Sequence, residues 1–156
     1  MAAPGGVGVI AGEGALPRLI AEAQRRLGRP YLVIGFEGAA PDWIAEHPHA
    51  TPPFEKPGAL FGALRAAGVD TVVFAGAMAR PSLNPLRFDR KAAGLAARVL
   101  PLLAQGDDAL LRGLGAVFEA EGFRLAGAHE LLTDLPAPRG AFSAAAPGRA
   151  DRADIR

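Results

Sequence analysis

The chain predicts an α/β fold: a Rossmann-like, doubly wound, mostly parallel sheet flanked by helices. Three observations carry this prediction. Short apolar runs of strand length at residues 7–11, 31–35, 71–75 and 123–126 alternate with longer runs of helical period. Glycine or proline bounds almost every run. The first strand leads through Gly12-Glu13-Gly14 straight into a helical pattern, the order expected of a strand–turn–helix unit.

Val7, Val9 and Ile10 suit a buried first strand, and Gly12 and Gly14 free the backbone for a tight turn. Leu16, Leu19, Ile20, Ala23 and Leu27 recur at helical spacing, and Gly28 with Pro30 ends that helix. Residues 31–35 form a second strand, and residues 41–47 a short helix with Asp42 near its start. Residues 50–54 carry two prolines and fit no more than a short edge strand. Residues 57–67 read as a helix with Leu60, Phe61 and Leu64 on one face and Gly68 as its cap. Residues 71–75 are the clearest central strand, ending at Gly76 before an irregular segment to Pro85.

Helices dominate thereafter. Residues 89–104 carry a broad apolar stripe, and Pro101 is expected to kink or end that helix. Gly106-Asp107-Asp108 starts the next helix and Gly122 caps it, with a last strand at 123–126 followed by residues 127–132. From Thr133 onward prolines, alanines and alternating charges leave few apolar anchors. We therefore divide the chain into a Rossmann-like N-terminal domain, 1–132, and a linker or tail, 133–156.

Composition narrows the functions. Half of the 156 residues are hydrophobic, which fits a folded domain with a real core. A net charge of +1 gives no concentrated basic face, so no nucleic-acid partner is expected. The absence of cysteine excludes thiolate chemistry and disulfides. Arg98 interrupts the longest apolar run, and the first residues lack a basic region followed by a long apolar core. The expected compartment is the cytoplasm.

Parallel α/β sheets take ligands outside the carboxyl ends of their strands. That edge should collect Gly12 to Ala15, Gly76 to Arg80 and Gly127 to Glu130. Gly12, Glu13, Gly14 and Ala15 offer helix-start amides to a phosphate, or else make a tight turn that needs glycine regardless of ligand. Neither a Walker loop nor a GxGxxG spacing is present. Arg80, following Gly76, has the fork to hold a diphosphate, or is a plain loop arginine. His129 and Glu130 offer acid/base chemistry, with a satisfied loop histidine as the plainer reading. Asp107 and Asp108 are candidate magnesium ligands, against Asp107 as helix cap and Asp108 as its dipole partner. His47 and His49 lack further histidine or cysteine ligands nearby and read as surface residues. Ser82 and Ser143 lack glycine flanks, which argues against a nucleophile elbow.

Four stretches in order bear a more specific likeness: residues 10–17, 74–81, 106–112 and 122–132. Together they resemble the N-terminal domain of LpxI-type UDP-2,3-diacylglucosamine pyrophosphatases of lipid A synthesis. The resemblance implies hydrolysis of UDP-2,3-diacylglucosamine to lipid X and UMP, helped by a divalent cation, Mg2+ being expected. It implies a UDP-linked glycolipid as substrate and a location at the inner membrane surface, touched through that lipid; a homodimer is a further expectation. It also implies a second domain, which holds an essential aspartate and encloses most of the lipid. No catalytic residue is assigned in this chain, which by itself should be inactive. The alternatives are a non-catalytic nucleotide- or phosphate-binding module and, less well matched, a Rossmann oxidoreductase.

Overall fold

The computed structural model describes residues 5–78, 82–103 and 105–132. Arg80 and everything from residue 133 onward, including the expected linker, lie outside the described residues. Five strands form one all-parallel sheet in the order β3-β2-β1-β4-β5. These are β1 (Gly6–Ala11), β2 (Tyr31–Ile34), β3 (His49–Ala50), β4 (Val69–Ala75) and β5 (Arg124–Leu125). β1 is buried throughout its length and pairs with β2 on one side and β4 on the other. This burial on both faces is why β1 and β4 read as continuous apolar runs rather than alternating ones. The edge strand expected over residues 50–54 is instead β3, His49–Ala50, which ends before Pro52 and Pro53, since proline cannot donate to the ladder.

Helices cover both faces, so the sheet is doubly wound. On the first face, α1 (Leu16–Arg26) and α5 (Ala128–Leu131) pack Ile20, Ala23 and Leu131 on Val7, Val9, Val73 and Ala75. The helix α1 buries Ile20 and Ala23 as expected, but not the leucines read with them. Leu16, Leu19 and Leu27 are 39%, 41% and 59% exposed, whereas Pro17, Ile20, Ala21, Ala23 and Gln24 face the sheet. Gln24 is fully buried, and neither polar atom of its amide has a hydrogen-bond partner among the described residues.

His47 also corrects the sequence reading. It is buried, not on the surface, at the end of a 3-10 turn over Asp42–Glu46. Its Nδ1 lies 2.8 Å from the Tyr31 hydroxyl, and its ring meets Trp43 edge-on. Burial, then the nearby Arg25 charge, holds its pKa below the ordinary histidine value. His49 is exposed, as expected.

On the second face, α2 (Pro57–Ala66), α3 (Arg90–Leu103) and α4 (Asp107–Ala120) enclose an aromatic core. Phe61, Phe74, Phe118 and Phe123 meet with ring centroids 5.1–6.2 Å apart. Pro101 lies inside α3, which runs two residues further to Leu103. So late in the helix the missing N–H costs one terminal bond, and the chain stops with a short lag. The N-cap of α4 is Gly106 at φ 101°, without a side-chain hydrogen bond, so Asp107 is the first helical residue and not the cap.

Candidate functional site at the carboxyl edge of the sheet

From β1 the chain crosses to β2, while β4 lies on the opposite flank of β1. The loops after β1 and β4 therefore bound the point where strand order reverses, the usual ligand crevice of such sheets. Here they are tied together. The Gly12 amide donates to the Ala75 carbonyl at 2.8 Å and the Glu13 amide to the Ala77 carbonyl at 2.7 Å. The Ala77 amide returns a bond to the Glu13 carbonyl at 3.1 Å, making a short antiparallel bridge.

This bridge supplies a reason for two of the glycines. A methyl group at Gly12 would strike the Ala77 carbonyl, and one at Gly76 would strike that of Glu13. Gly76 also sits at φ 85°, where side chains other than glycine are strained. Close loop–loop approach thus requires glycine whether or not a ligand binds. Gly14 differs: at φ 98° it has open space where a side chain would stand. Glu13, Gly14 and Ala15 are exposed, and Ala15 caps α1 without a side-chain hydrogen bond. The helix start has no acidic residue in its first turn and so keeps an electropositive end. Arg18, one turn on, is engaged elsewhere, bonding Glu22 at 3.0 Å and Glu46 at 2.9 Å.

The third expected loop stands apart in its bonding. β5 leaves the sheet early: Arg124 and Leu125 pair with Thr71 and Val72, and the Ala126 amide donates to the Val72 carbonyl at 2.9 Å. β4 continues to Ala75. Glu130 accepts from the Gly127 amide at 2.7 Å through one oxygen and from Arg124 at 2.9 Å through the other. The amide bond first, and then Arg124, holds its carboxyl below the usual carboxylate range. Glu130 thereby closes the start of α5, with His129 exposed beside it. Among the described residues, hydrogen bonds join residues 12–13 to 75–77 and none joins Gly127, His129 or Glu130 to either loop.

Of the two expected magnesium ligands, Asp108 can be described. The Asp108 side chain is 92% exposed and lies 3.4 Å from Arg112 one turn along α4. Among the described residues no three histidine or acidic side chains cluster in a way that would hold a metal ion.

Sequence reasoning missed the largest feature at this edge. A cavity of about 570 Å³ lies between the sheet and α2, α3 and α4. Phe36, Phe74, Phe118, Leu95, Leu110 and Leu114 are among its walls. Ala75, Gly76, Ala77 and Met78, from the bridged loop itself, line it too. Phe36 and Phe54 stack at 3.8 Å along one side. The charged side chain in the lining is Glu55, buried and bonded to the Asn84 amide at 3.3 Å. The segment that leads into α3 is fastened beside the cavity. Arg87 pairs with Glu37 at 2.8 Å, and Asp89 accepts from the amides of Gly58 at 2.9 Å and Ala92 at 2.6 Å. The available signal was the wide apolar stripe on both α3 and α4, more than one face of a sheet can cover.

A doubly wound parallel sheet with bridged glycine loops at its switch point, beside an apolar chamber, defines a Rossmann-like domain. The chain belongs to the LpxI N-terminal domain family, which it matches over residues 6–135. It is 36% identical over 149 residues to the UDP-2,3-diacylglucosamine pyrophosphatase LpxI of Caulobacter vibrioides. That match covers 96% of this chain and 53% of the relative, so the chain spans about half the length of the curated relative it matches. The family resemblance drawn from the four sequence stretches is borne out.

Proposed function

We propose that this chain is the substrate-embracing N-terminal half of a hydrolase that cleaves UDP-2,3-diacylglucosamine to lipid X and UMP. The observation that carries the reading is the sharing of residues 75–78 between the bridged glycine loop and the apolar cavity. A molecule with a diphosphate at one end and acyl chains at the other has its two chemistries met side by side. Its phosphates lie against the electropositive start of α1 and the amides around Gly14, and one acyl chain enters the cavity. This half thus takes a share of the lipid that the sequence assigned mainly to a second domain.

The chain's own residues bind and orient. The bridge between Glu13 and Ala77 fixes the two loops, and the aromatic walls exclude water from the chain-binding side. Water adds to one phosphorus and the bridging phosphorus–oxygen bond breaks, releasing two phosphomonoesters. The groups that activate this water, and the ligands of the divalent cation, belong in our reading to the other half of the enzyme. Arg80 remains a proposed diphosphate contact. The protein works in the cytoplasm at the inner membrane surface.

The test is hydrolysis of UDP-2,3-diacylglucosamine by this chain and by a longer chain carrying both halves. We expect turnover with the longer chain and none with this one. In the longer chain, Ala96→Trp, which fills the cavity, should raise KM at least tenfold while UMP binding is unchanged. Full activity of the 156-residue chain, or indifference of the longer chain to a filled cavity, would overturn the reading. A nucleotide-binding module without catalysis is the competing reading, consistent with the bridged glycine loops at the start of α1. Tight UMP binding with no hydrolysis by either chain would favour it.

A further inference from the structure

We infer that the segment from Leu83 to Phe88 is a bilayer-docking edge, by which the protein touches an anionic membrane directly. This deepens the proposed function by naming the surface, but it does not depend on the lipid substrate being present. Leu83 and Phe88 line the cavity, and Leu86 between them is 95% exposed. Met78 and Leu111, also in the cavity lining, are 41% and 53% exposed. An apolar rim therefore continues from the cavity onto the surface, where single exposed leucines elsewhere need no such account.

Leu86 is held out by design of the backbone rather than by slack. It lies in a 3-10 turn, Pro85–Arg87, whose start is capped by the Asn84 side chain accepting from the Leu86 amide at 3.0 Å. Glu37 anchors Arg87, and Glu55 anchors Asn84. A rigid apolar tip inserts into a bilayer interface without first losing conformational freedom.

Charge selects the partner. Residues 82–103 carry Arg87, Arg90, Lys91 and Arg98 against one acid, Asp89. Arg87 and Lys91 are paired, with Glu37 and Glu121. Arg90 and Arg98 are exposed and make no ion pair among the described residues, and Lys56 is exposed at the head of α2 near Asp89. Glu37 and Glu55 also meet this segment, each bonded to it, so among the described residues the free charge nearest the tip in sequence is Arg90, which fits an anionic lipid headgroup. An acyl chain would then pass from the bilayer into the cavity past Leu86 without crossing water.

The experiment is co-sedimentation of this chain with vesicles free of any nucleotide-linked lipid. One set is phosphatidylglycerol with phosphatidylcholine, the other phosphatidylcholine alone. We expect binding to the anionic vesicles that weakens with salt, and about a tenfold weaker partition for Leu86→Asp. Leu27→Asp, on a leucine 59% exposed at the far end of α1, should bind as the parent does. Circular dichroism checks that both variants fold. Equal binding by Leu86→Asp and the parent would overturn the inference, as would an equal loss in Leu27→Asp. So would light scattering without vesicles in which Leu86→Asp abolishes self-association of the parent while neither binds lipid. Hydrolysis of detergent-dispersed substrate by the longer chain reads the proposed function separately.

Discussion

The two faces of the sheet are built from the same strands and treat volume in opposite ways. On the first face, α1 packs Ile20 and Ala23 on Val7, Val9 and Val73, and Ala21 on Ala11, Val33 and Ile44. On the second, larger side chains from three helices leave a chamber of about 570 Å³. A tightly closed face stabilises; a face that fails to close, although it has more apolar mass, has room for something else. The proposed site lies at the carboxyl ends of β1 and β4.

The largest effect should separate the faces directly. Ile20→Ala removes a fully buried side chain from the closed seam and should cost about 3 kcal/mol in urea unfolding. Leu110→Ala, on the cavity wall, should cost about 1 kcal/mol, because its neighbours already lack close packing on one side. Equal costs would erase the contrast. Next come the two loop glycines. Gly76→Ala meets both an unfavourable φ and the Glu13 carbonyl, and should destabilise by about 2 kcal/mol. Gly14→Ala meets the unfavourable φ alone and should cost about 1 kcal/mol, measured in the same way.

A smaller effect sharpens the closed face at its margin. The folded-state pKa of His47 lies below the ordinary value of 6.5, so the unfolded chain takes up its proton first as pH falls. Its contribution is fully present above about pH 6.5 and is lost progressively as pH drops from there through the lower folded value. His47→Phe should flatten unfolding free energy between pH 7.5 and 5.5. Glu121 and Glu130, also depressed, act below the ordinary carboxylate value of 4.5 and leave that window undisturbed. An unchanged pH slope in the variant would remove His47 from the account.

Much of this molecule was legible in the chain. Continuous apolar runs marked β1 and β4 because both are buried on two faces, and the glycines after them marked the turns that bridge. Proline placed β3 at the edge. What escaped reading depends on partners distant in sequence. The burial of Gln24 follows from how closely α1 settles on the sheet, and that of His47 from Trp43 and Tyr31. Leu19 and Leu27 have the right period for a core and yet lie outside it, since helical spacing sets a stripe but not its angle to the sheet. The cavity arises from the splay of three helices, which no single segment records. Of the expected site residues, Gly12, Glu13 and Gly76 are brought together, Glu130 is committed to its own helix, and Arg80 lies outside the described residues.

The measurement that bears most directly on the central claim is a methyl-resolved NMR titration of this chain with diacylated glucosamine 1-phosphate below its aggregation threshold. We expect saturable shifts of Leu95, Leu110, Leu114 and Val117, on the cavity walls, with Ile20, Val9 and Val73 unmoved. Shifts confined to the closed face, or no saturable shift at the cavity, would contradict it.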